Sequence, residues 1–425
     1  MDIHIVQPGD TMYRLAQQYG VPMERLLQDN QLPDPSHLVV GQTIVVQYPE
    51  LTHTVRAGDS LYSIAQMHNT TVAQLLRNNP GLQGRDLVYP GQHIVVKYSS
   101  RPRGPLTVNA YAYPYIGRGL LQATLPYLSQ LTPFTYRFDG DDLIPLQDEA
   151  LASAALQSRV APIFHLSNLD SQDRFSPEQA HELLSDEEDQ EELIQEILRT
   201  IDRKGYRGVD VDFEFVRGED AEDYARFLTR LRRALAPRGL PLIAALAPKA
   251  SAGQPGRLYE GIDYHLIAKA VDFALLMAYD WGNPASPPMA VAPLPQVRKV
   301  VEYALTEFSP EQLYLGIPNY GYNWPLPFRE GNRAVSVNNV EAVRLAWNRH
   351  AAIRYDETAQ APWLRYVDEQ GVEHEVWFED ARSIQAKLNL ALEYGLYGVG
   401  YWNLDRPFPQ NWVVLNSMAQ IRRGM

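Results

Sequence analysis

The sequence predicts an α/β protein in which a (β/α)8 barrel of the TIM type follows two small α+β modules of βααβ order. From residue 107 onward, apolar β-rich runs alternate with helical patterns eight times, as a barrel of eight βα units requires. Before residue 99, one unit of about 50 residues occurs twice, and such a period marks a repeated domain. A doubly wound sheet is the alternative for the alternating part.

Composition limits the possible functions. The 425 residues are 45% hydrophobic and 21% charged, as in ordinary globular proteins. A net charge of −13 disfavours nucleic acid as a partner. The chain has no cysteine, which excludes disulfides and thiolate chemistry. No apolar run is long enough to span a membrane, and the N-terminus lacks a secretory signal pattern. We therefore expect synthesis in the cytoplasm.

The N-terminal repeat is visible in matching segments. The stretch from His4 to Thr11 recurs from His53 to Ser60, and each copy continues through an amphipathic stretch to an asparagine, Asn30 or Asn79. Each copy closes with Gly-Gln and alternating apolar residues. This order predicts strand, helix, helix and strand, with Gly-Asp-Thr/Ser as a turn and helix N-cap.

The repeat resembles the LysM module, a βααβ fold that binds glycans containing N-acetylglucosamine. The resemblance implies a groove between the loop after the first strand and the loop before the last strand. Alternatively, the same residues merely turn the chain and cap a helix. Two such sites on one chain would raise avidity for a polymer. The predicted glycan-binding residues are Gly9, Asp10, Thr11, Met12, Asn30, Gln31 and Leu32 in the first module, and Gly58, Asp59, Ser60, Leu61, Asn79, Pro80 and Gly81 in the second.

These patterns divide the chain into four parts. Residues 1–48 and 51–98 form the two modules. Residues 99–106 combine proline and glycine with polar neighbours, which is typical of an extended linker. Residues 107–425 form the predicted barrel domain. Its eight predicted strands are Thr107–Tyr113, Gln130–Phe138, Val160–Leu166, Gly208–Phe215, Leu240–Ala247, Val271–Tyr279, Leu313–Ile317 and Gly398–Trp402. The predicted helices lie near 118–129, 148–158, 190–203, 219–236, 258–270, 293–308, 338–350 and 379–394.

The fourth predicted strand carries three acidic residues at alternate positions. Because successive side chains of a strand point to opposite faces, Asp210, Asp212 and Glu214 share one face. Helical patterns flank the strand on both sides, which indicates a parallel sheet covered on both faces. The carboxylates therefore point into the barrel interior or its mouth. This favours the barrel over the doubly wound sheet.

Burying neighbouring carboxylates is costly, because ions lose solvation and like charges repel. An edge strand with a wet polar face is the alternative interpretation. We favour a catalytic role, because Glu214 ends its strand, where βα loops build active sites. Asp212 can hold a shared proton and raise the pKa of Glu214 toward the working pH, as a general acid requires.

The stretch resembles the Asp-x-x-Asp-x-Asp-x-Glu signature of glycoside hydrolase family 18, the chitinase family. The last three acidic positions match at Asp210, Asp212 and Glu214, whereas Arg207 occupies the first. The resemblance implies a glycosidase in which these three residues are catalytic. Family 18 is a substrate-assisted exception among glycosidases. Glu214 would protonate the glycosidic oxygen, and Asp212, buffered by Asp210, would orient the substrate's own acetamido group as nucleophile, with net retention.

A second match ends the sixth predicted strand, where Met277-Ala278-Tyr279-Asp280 fits the family's Met-x-Tyr-Asp. The resemblance implies that Tyr279 is catalytic and donates its hydroxyl to the N-acetyl group. It also implies that Met277 and Asp280 belong to the substrate-binding site. Without the resemblance, Tyr279 is also interpretable as an anchor of the strand end.

Further side chains complete the predicted substrate site. Trp402 ends the eighth strand, where the family places the floor beneath the reacting sugar, and sugar faces stack on aromatic rings. Alternatively, this tryptophan fills the barrel core. Asn168, Asn319 and Tyr320 follow strands three and seven, where polar groups would reach a sugar. The family's Ser-x-Gly-Gly on strand three is absent, and Phe164 to Asn168 stands in its place.

Other chemistries have little support. The ten histidines are scattered without a metal-binding pair, so we expect neither a metal nor a cofactor. Two LysM modules ahead of such a barrel look like the spore peptidoglycan hydrolases of endospore-forming bacteria. This resemblance implies a monomeric N-acetylglucosaminidase of the spore cortex, acting in germination and located in the spore coat, cortex or cell wall. A chitinase and a non-hydrolytic glycan-binding protein are the alternatives.

Overall fold

The computed structural model describes residues 1–32 and 34–423. The N-terminal repeat folds into two modules, each with two helices and a two-stranded antiparallel sheet. The first module consists of strand Asp2–Ile5, helices Met12–Tyr19 and Met23–Asn30, and strand Thr43–Val46. The second consists of strand Pro49–Thr54, helices Leu61–Met67 and Val72–Asn78, and strand His93–Tyr98. Both have the predicted βααβ order.

The predicted turns and caps explain how each module begins. The hydroxyls of Thr11 and Ser60 accept hydrogen bonds from Arg14 N and Ser63 N at the first turn of their helices. The glycine before each cap has a positive φ, 89° at Gly9, which favours glycine. Each module then encloses its own apolar cluster.

Eight parallel strands form the barrel, and neighbours in sequence are neighbours in the sheet. The eighth strand pairs with the first, which closes the ring around an interior filled by side chains. The third strand is interrupted at Ile163. In chain order the barrel strands 1 to 8 are Gly104–Ala112, Gln130–Pro133, Ala161–Pro162 with Phe164–Ser167, Val209–Asp212, Leu242–Leu246, Phe273–Leu276, Leu313–Pro318 and Gly398–Trp402.

Amphipathic helices surround the strands, and the helix before strand 4 shows why they form. Glu187–Lys204 has acidic residues in its first turn and basic residues in its last turn, which complements the helix dipole. Asp186 caps its N-terminus, and Gly205 ends it with a φ of 77°. The barrel-domain helices are Arg118–Thr124, Glu149–Gln157, Pro177–Ser185, Glu187–Lys204, Ala221–Leu235, Tyr264–Ala270, Leu294–Ala304, Asn339–Asn348, Ala381–Glu393 and Pro409–Met418.

Some predicted boundaries were wrong. The predicted strand Gln130–Phe138 ends at Pro133, and Arg137–Asp139 instead forms a hairpin with Asp142–Ile144. The predicted strand Gly208–Phe215 ends at Asp212, and Phe215 has a φ of 58°, which no regular strand residue adopts. Glu214 therefore lies in the loop that follows the strand. The helix predicted near 258–270 begins only at Tyr264.

Two features had not been predicted. A five-stranded antiparallel sheet is inserted between barrel strands 7 and 8, and its strands are Gly321–Pro325, Val335–Val337, Arg354–Asp356, Ala361–Val367 and Glu373–Trp377. Helix Pro409–Met418 contacts both modules. Its Gln410 Nε2 donates to Asn30 Oδ1 at 2.9 Å, and Asn416 Nδ2 donates to Asn78 Oδ1 at 3.0 Å. Within the described ranges, no helix is long and apolar enough to cross a membrane.

Candidate active site

The acidic stretch forms barrel strand 4 and the loop after it. Strand 4 pairs in parallel with strands 3 and 5, so the interpretation as a wet edge strand is wrong. Asp210 is fully buried, and Asp212 is 6% exposed. Glu214 is partly exposed and lines a cleft of about 120 Å³. The three carboxyl groups thus extend from the barrel mouth into its interior.

Burial raises the pKa of all three carboxyl groups. The pKa of Asp210 rises to about 7 on burial, although a hydrogen bond from Tyr111 Oη at 2.7 Å opposes the rise. Burial, followed by the charges of Glu214 and Asp210, raises the pKa of Asp212 far above its usual value. Burial and the charge of Asp280 raise the pKa of Glu214 to about 7. Near neutral pH the stack therefore retains protons, and Glu214 can act as acid or base.

Asn168 holds the main chain of Glu214. Its side-chain oxygen accepts a hydrogen bond from Glu214 N at 2.9 Å, and its Nδ2 donates to Glu214 O at 2.9 Å. The same Nδ2 donates to Ser176 O, and Asn168 is fully buried. The structure therefore does not bring Asn168 to the cleft surface, where the sequence suggested a sugar contact. Instead, Asn168 fixes the position of Glu214.

The segment after strand 6 forms another wall of the cleft. Met277, Tyr279 and Asp280 line the cleft together with Glu214. Asp280 Oδ1 accepts a hydrogen bond from Tyr320 Oη at 2.7 Å. Because Tyr320 is only 5% exposed, its hydroxyl orients Asp280 and offers little surface to a ligand.

Trp402 ends strand 8 and is partly exposed. Its ring packs edge-on against Phe134, with ring centroids 4.7 Å apart, and lies 5.5 Å from the ring of Tyr111. Asn319 is buried beside it and supports its loop, because Asn319 N donates to Trp402 O at 2.8 Å and its Nδ2 donates to Asn403 O at 2.9 Å. Trp402 thus belongs to the aromatic lining of the mouth, whereas Asn319 lies behind it.

Comparison with known families agrees with this geometry. Residues 172–406 match the family model described as "Glycosyl hydrolases family 18", and this range contains the carboxylate stack, Tyr279 and Trp402. The protein belongs to glycosyl hydrolase family 18. Residues 4–47 and 53–97 each match the model for the LysM domain. Membership in family 18 makes the protein a glycosidase, and the LysM domains indicate a glycan as its binding partner.

Relatives share the whole domain arrangement of this family 18 enzyme. A cortical fragment-lytic enzyme of Bacillus subtilis is 41% identical over 99% of both chains. The putative sporulation-specific glycosylase YdhD of the same organism is 33% identical over 100% of both chains. The crystal structure of the Bacillus cereus spore cortex-lytic enzyme SleL superposes with a TM-score of 0.84 at 37% identity, covering 100% of this chain and 99% of the other. The fold and domain order are therefore those of the spore cortex-lytic enzymes.

The predicted groove residues of the LysM modules fall into two groups. The turn residues Gly9, Asp10 and Thr11 are exposed or partly exposed, as are their counterparts Gly58, Asp59 and Ser60. In each turn the aspartate accepts a hydrogen bond from the main chain and pairs with a histidine. Gln31 and Leu32 are partly buried, Gly81 is exposed, and the buried members are Met12, Leu61, Asn30, Asn79 and Pro80.

The two buried asparagines tie a helix to a strand in their modules. Asn30 Nδ2 donates to Leu26 O and Val45 O, both at 2.8 Å, and Asn30 Oδ1 accepts from Val45 N at 2.7 Å. Asn79 makes the corresponding contacts in the second module. Both side chains support the fold of their modules, and Asn30 also lines a small pocket between the first module and the barrel domain, together with Gln31 and Leu32.

Sequence reasoning missed Tyr111, the hydrogen-bond donor to Asp210. Tyr111 lies in strand 1, which is not a neighbour of strand 4 in the sheet. Its hydroxyl reaches Asp210 across the barrel interior. An alternating pattern could have placed it on the inner face. Only the closed ring shows that this face meets Asp210.

One group of possible metal ligands occurs outside the stack. His181, Glu219 and Asp220 could each direct one ligand atom to a shared point. His181 Nδ1 already lies 2.8 Å from Asp220 Oδ1. A hydrogen bond between these two side chains accounts for their approach.

Proposed function

We propose that the protein is a peptidoglycan hydrolase, an N-acetylglucosaminidase that cleaves the β-1,4 bond after N-acetylglucosamine in spore cortex glycan. The observation that carries the proposal is the buried stack of Asp210, Asp212 and Glu214, with only Glu214 reaching the cleft as an acid of raised pKa. Asp280, the other carboxylate of the cleft, is engaged by Tyr320. This arrangement supplies an acid without a separate nucleophile, as substrate assistance requires.

The geometry supports the following course. Glu214 protonates the glycosidic oxygen while the acetamido oxygen of the same sugar attacks the anomeric carbon, and an oxazolinium ion forms. Asp212 orients the acetamido N–H and offsets the positive charge that develops, and Asp210 shares its proton. The Tyr279 hydroxyl donates a hydrogen bond to the acetamido oxygen. Glu214 then takes a proton from water, which opens the oxazolinium ion with net retention.

The choice of cortex glycan rests on the domain arrangement. Both LysM modules contact helix Pro409–Met418 of the barrel domain. They would keep the cleft near a polymer that carries N-acetylglucosamine. Two relatives reported above, a cortical fragment-lytic enzyme and a spore cortex-lytic enzyme, match this chain over at least 99% of both lengths. We therefore place the activity at the spore cortex during germination, with the protein associated with the spore or the cell wall.

Product analysis tests this proposal. The wild type and Glu214→Gln would be incubated with spore cortex peptidoglycan, pre-cut cortex fragments and chitin oligomers, and new reducing ends would be identified by mass spectrometry after borohydride reduction. We expect reducing N-acetylglucosamine ends from the cortex material with the wild type alone. Cleavage of chitin oligomers only would indicate a chitinase. Binding without any cleavage would indicate a non-hydrolytic glycan-binding protein.

A further inference from the structure

His165 lies on barrel strand 3, directly behind the carboxylate stack. The residue is fully buried, and its Nε2 is 3.7 Å from Asp210 Oδ2 and 3.7 Å from Asp212 Oδ2. Strand 3 pairs with strand 4 so that His165 is the direct neighbour of Asp210. It belongs to the segment Phe164 to Asn168, which replaces the Ser-x-Gly-Gly of the family. The course proposed above gives this imidazole no role.

Each of these three residues has one buried polar atom without a hydrogen-bond partner among residues 1–32 and 34–423. These atoms are His165 Nε2, Asp210 Oδ1 and Asp212 Oδ1. Buried polar atoms are rarely left unpaired, because each costs about 1–3 kcal/mol. The oxygens that face His165 Nε2 are the Oδ2 atoms of the two aspartates, so a proton on Nε2 points toward both carboxyl groups.

The other ring nitrogen lies beside a hydroxyl that can donate to it. His165 Nδ1 lies 2.6 Å from Thr135 Oγ1. If the Thr135 hydroxyl donates to Nδ1, the neutral ring holds its proton on Nε2 and presents an N–H to the carboxylates. Thr135 Oγ1 is also 3.0 Å from Ser167 Oγ, and the rings of Tyr111 and Phe134 enclose the imidazole at centroid distances of 5.5 and 5.0 Å.

His165 stays neutral over the range in which the enzyme works. Burial lowers its pKa to about 3. The titratable groups that face it are Asp210 and Asp212 from strand 4 and Tyr111 from strand 1. Burial raises the pKa of each. Because both carboxyl groups are protonated at the acidic pH that would favour an imidazolium, no anion compensates a charged ring.

We propose that His165 is a positioning residue for hydrolysis, a neutral imidazole whose Nε2–H faces both Asp210 and Asp212 and stabilises the single negative charge that the pair carries. The inference rests on the proposed function, because in that mechanism the aspartate pair offsets the positive charge of the oxazolinium ion. The N–H lies equally far from the two carboxylates, so the charge can sit on either residue while the proton moves to the other. Asp212 can then be anionic when the acetamido group becomes positive.

The direction of the expected pH shift depends on which form of the aspartate pair the His165 N–H stabilises. A donor facing the pair stabilises its ionised form and lowers the pH at which the pair loses its first proton. Removing the donor therefore raises that pH. The acid limb of the kcat/KM profile, which reports ionisation in the unliganded enzyme, then moves to higher pH.

Two variants test this role with the full-length enzyme and pre-cut cortex fragments. His165→Met removes the donor and keeps most of the volume, and Thr135→Val removes only the hydroxyl that faces Nδ1. We expect both to shift the acid limb upward by about 0.5 to 1 pH unit, with a larger loss of kcat than change in KM. Thr132→Val is the matched control, because Thr132 is a buried threonine whose hydroxyl bonds Asn109. Its acid limb should not move.

Three results would overturn the proposal. A loss of kcat at every pH with an unmoved acid limb would mean that His165 only fills space. A downward shift would mean that Nε2 accepts a proton instead of donating one. Nitrogen NMR of wild type with labelled histidine measures the tautomer of His165 without relying on turnover. We expect the Nε2–H tautomer from pH 5 to 8. The opposite tautomer would overturn this inference even if the cortex activity is confirmed. Absence of cleavage with the expected tautomer would instead count against the proposed function.

Discussion

At the scale of single residues, the chemistry of Glu214 depends on what surrounds it. The carboxyl group lies at the top of a stack, above two aspartates that burial keeps from ionising readily. An isolated glutamate would be ionised at neutral pH and could not donate a proton. Here, burial and the nearby Asp280 raise its pKa to about 7, so a substantial fraction stays protonated where the enzyme would work.

The first prediction concerns this proton. Because the acid must be protonated and its pKa is raised, kcat/KM should fall as the pH rises through about 7. Glu214→Gln should lose activity by about 100-fold to 10,000-fold, the usual contribution of a general acid. Initial rates on cortex fragments from pH 5 to 9 measure both effects. A wild-type rate that keeps rising above pH 8 would argue against Glu214 as the acid.

The second prediction concerns Asp210, whose raised pKa has a cost in stability. A folded carboxyl group with a pKa above its unfolded value favours folding when protonated, so its contribution is present at low pH and is lost as the pH rises toward about 7. Asp210→Asn cannot ionise, and should therefore be more stable than the wild type by a few kcal/mol at pH 8.

Urea unfolding at pH 4 and pH 8 measures this difference. The two proteins should have similar free energies of unfolding at pH 4 and different ones at pH 8. Asp202→Asn is the control, because Asp202 is exposed and its ion pair with Arg238 lowers the pKa of its carboxyl group, so the same change there should not stabilise the protein at pH 8. If Asp210→Asn were less stable than the wild type at pH 8, the prediction would be wrong, because the hydrogen bonds to the ionised carboxylate would then outweigh the cost of burying it.

At the scale of elements, the loops after the barrel strands place the side chains that we propose to be catalytic. Strand 4 ends at Asp212, and Asn168 from the loop after strand 3 bonds both the main-chain N–H and the main-chain carbonyl of Glu214. The two hydrogen bonds replace strand pairing at the one residue that must be placed accurately. Asn319 holds the end of strand 8 in a similar way, because its main-chain N donates to Trp402 O and its Nδ2 donates to Asn403 O.

The third prediction is that Asn168→Ala lowers kcat by about 10-fold to 100-fold and leaves KM nearly unchanged, since a small misplacement of a catalytic group is costly. Steady-state kinetics on cortex fragments check it. Asn332→Ala, at an exposed loop position, is the control. If Asn168→Ala raised KM with unchanged kcat, Asn168 would be a sugar contact after all.

The fourth prediction separates two roles for the buried asparagine of a module. Asn30 bonds three main-chain groups and Gln410, so Asn30→Ala should destabilise the first module by about 2–3 kcal/mol. Gln17→Ala, on the exposed face of the same module, should not. Thermal unfolding and peptidoglycan pull-down measure the two effects together. Weaker glycan binding with unchanged unfolding would instead place Asn30 in the groove.

Sequence patterns predicted the parts of the fold that depend on local periodicity. The βααβ repeat, the parallel strands and the acidic face of strand 4 all follow from alternation and turn residues. The inserted sheet between strands 7 and 8 was missed, because its short strands mix polar and aromatic residues without a regular period. The partners of Asp210 were also missed, since Tyr111 reaches it only through closure of the barrel and His165 only through the register between strands 3 and 4.

At the scale of the whole molecule, the modules and the barrel domain are joined through buried polar contacts. Gln410 donates to Asn30 Oδ1 and Thr43 O of the first module. Arg77 of the second module donates to Pro126 O of the barrel domain at 3.0 Å and is 7% exposed. The glycan-binding modules therefore have a defined position relative to the cleft, which suits an enzyme that acts along a polymer.

The central claim is that this enzyme uses the substrate's own acetamido group, with Glu214 as the acid. The most direct test compares cortex fragments before and after chemical removal of the N-acetyl groups from N-acetylglucosamine, with new reducing ends counted by mass spectrometry. We expect cleavage of the acetylated fragments alone, and restored cleavage when the amines are acetylated again. Equal cleavage of both forms would contradict the account, because it would require a nucleophile supplied by the protein.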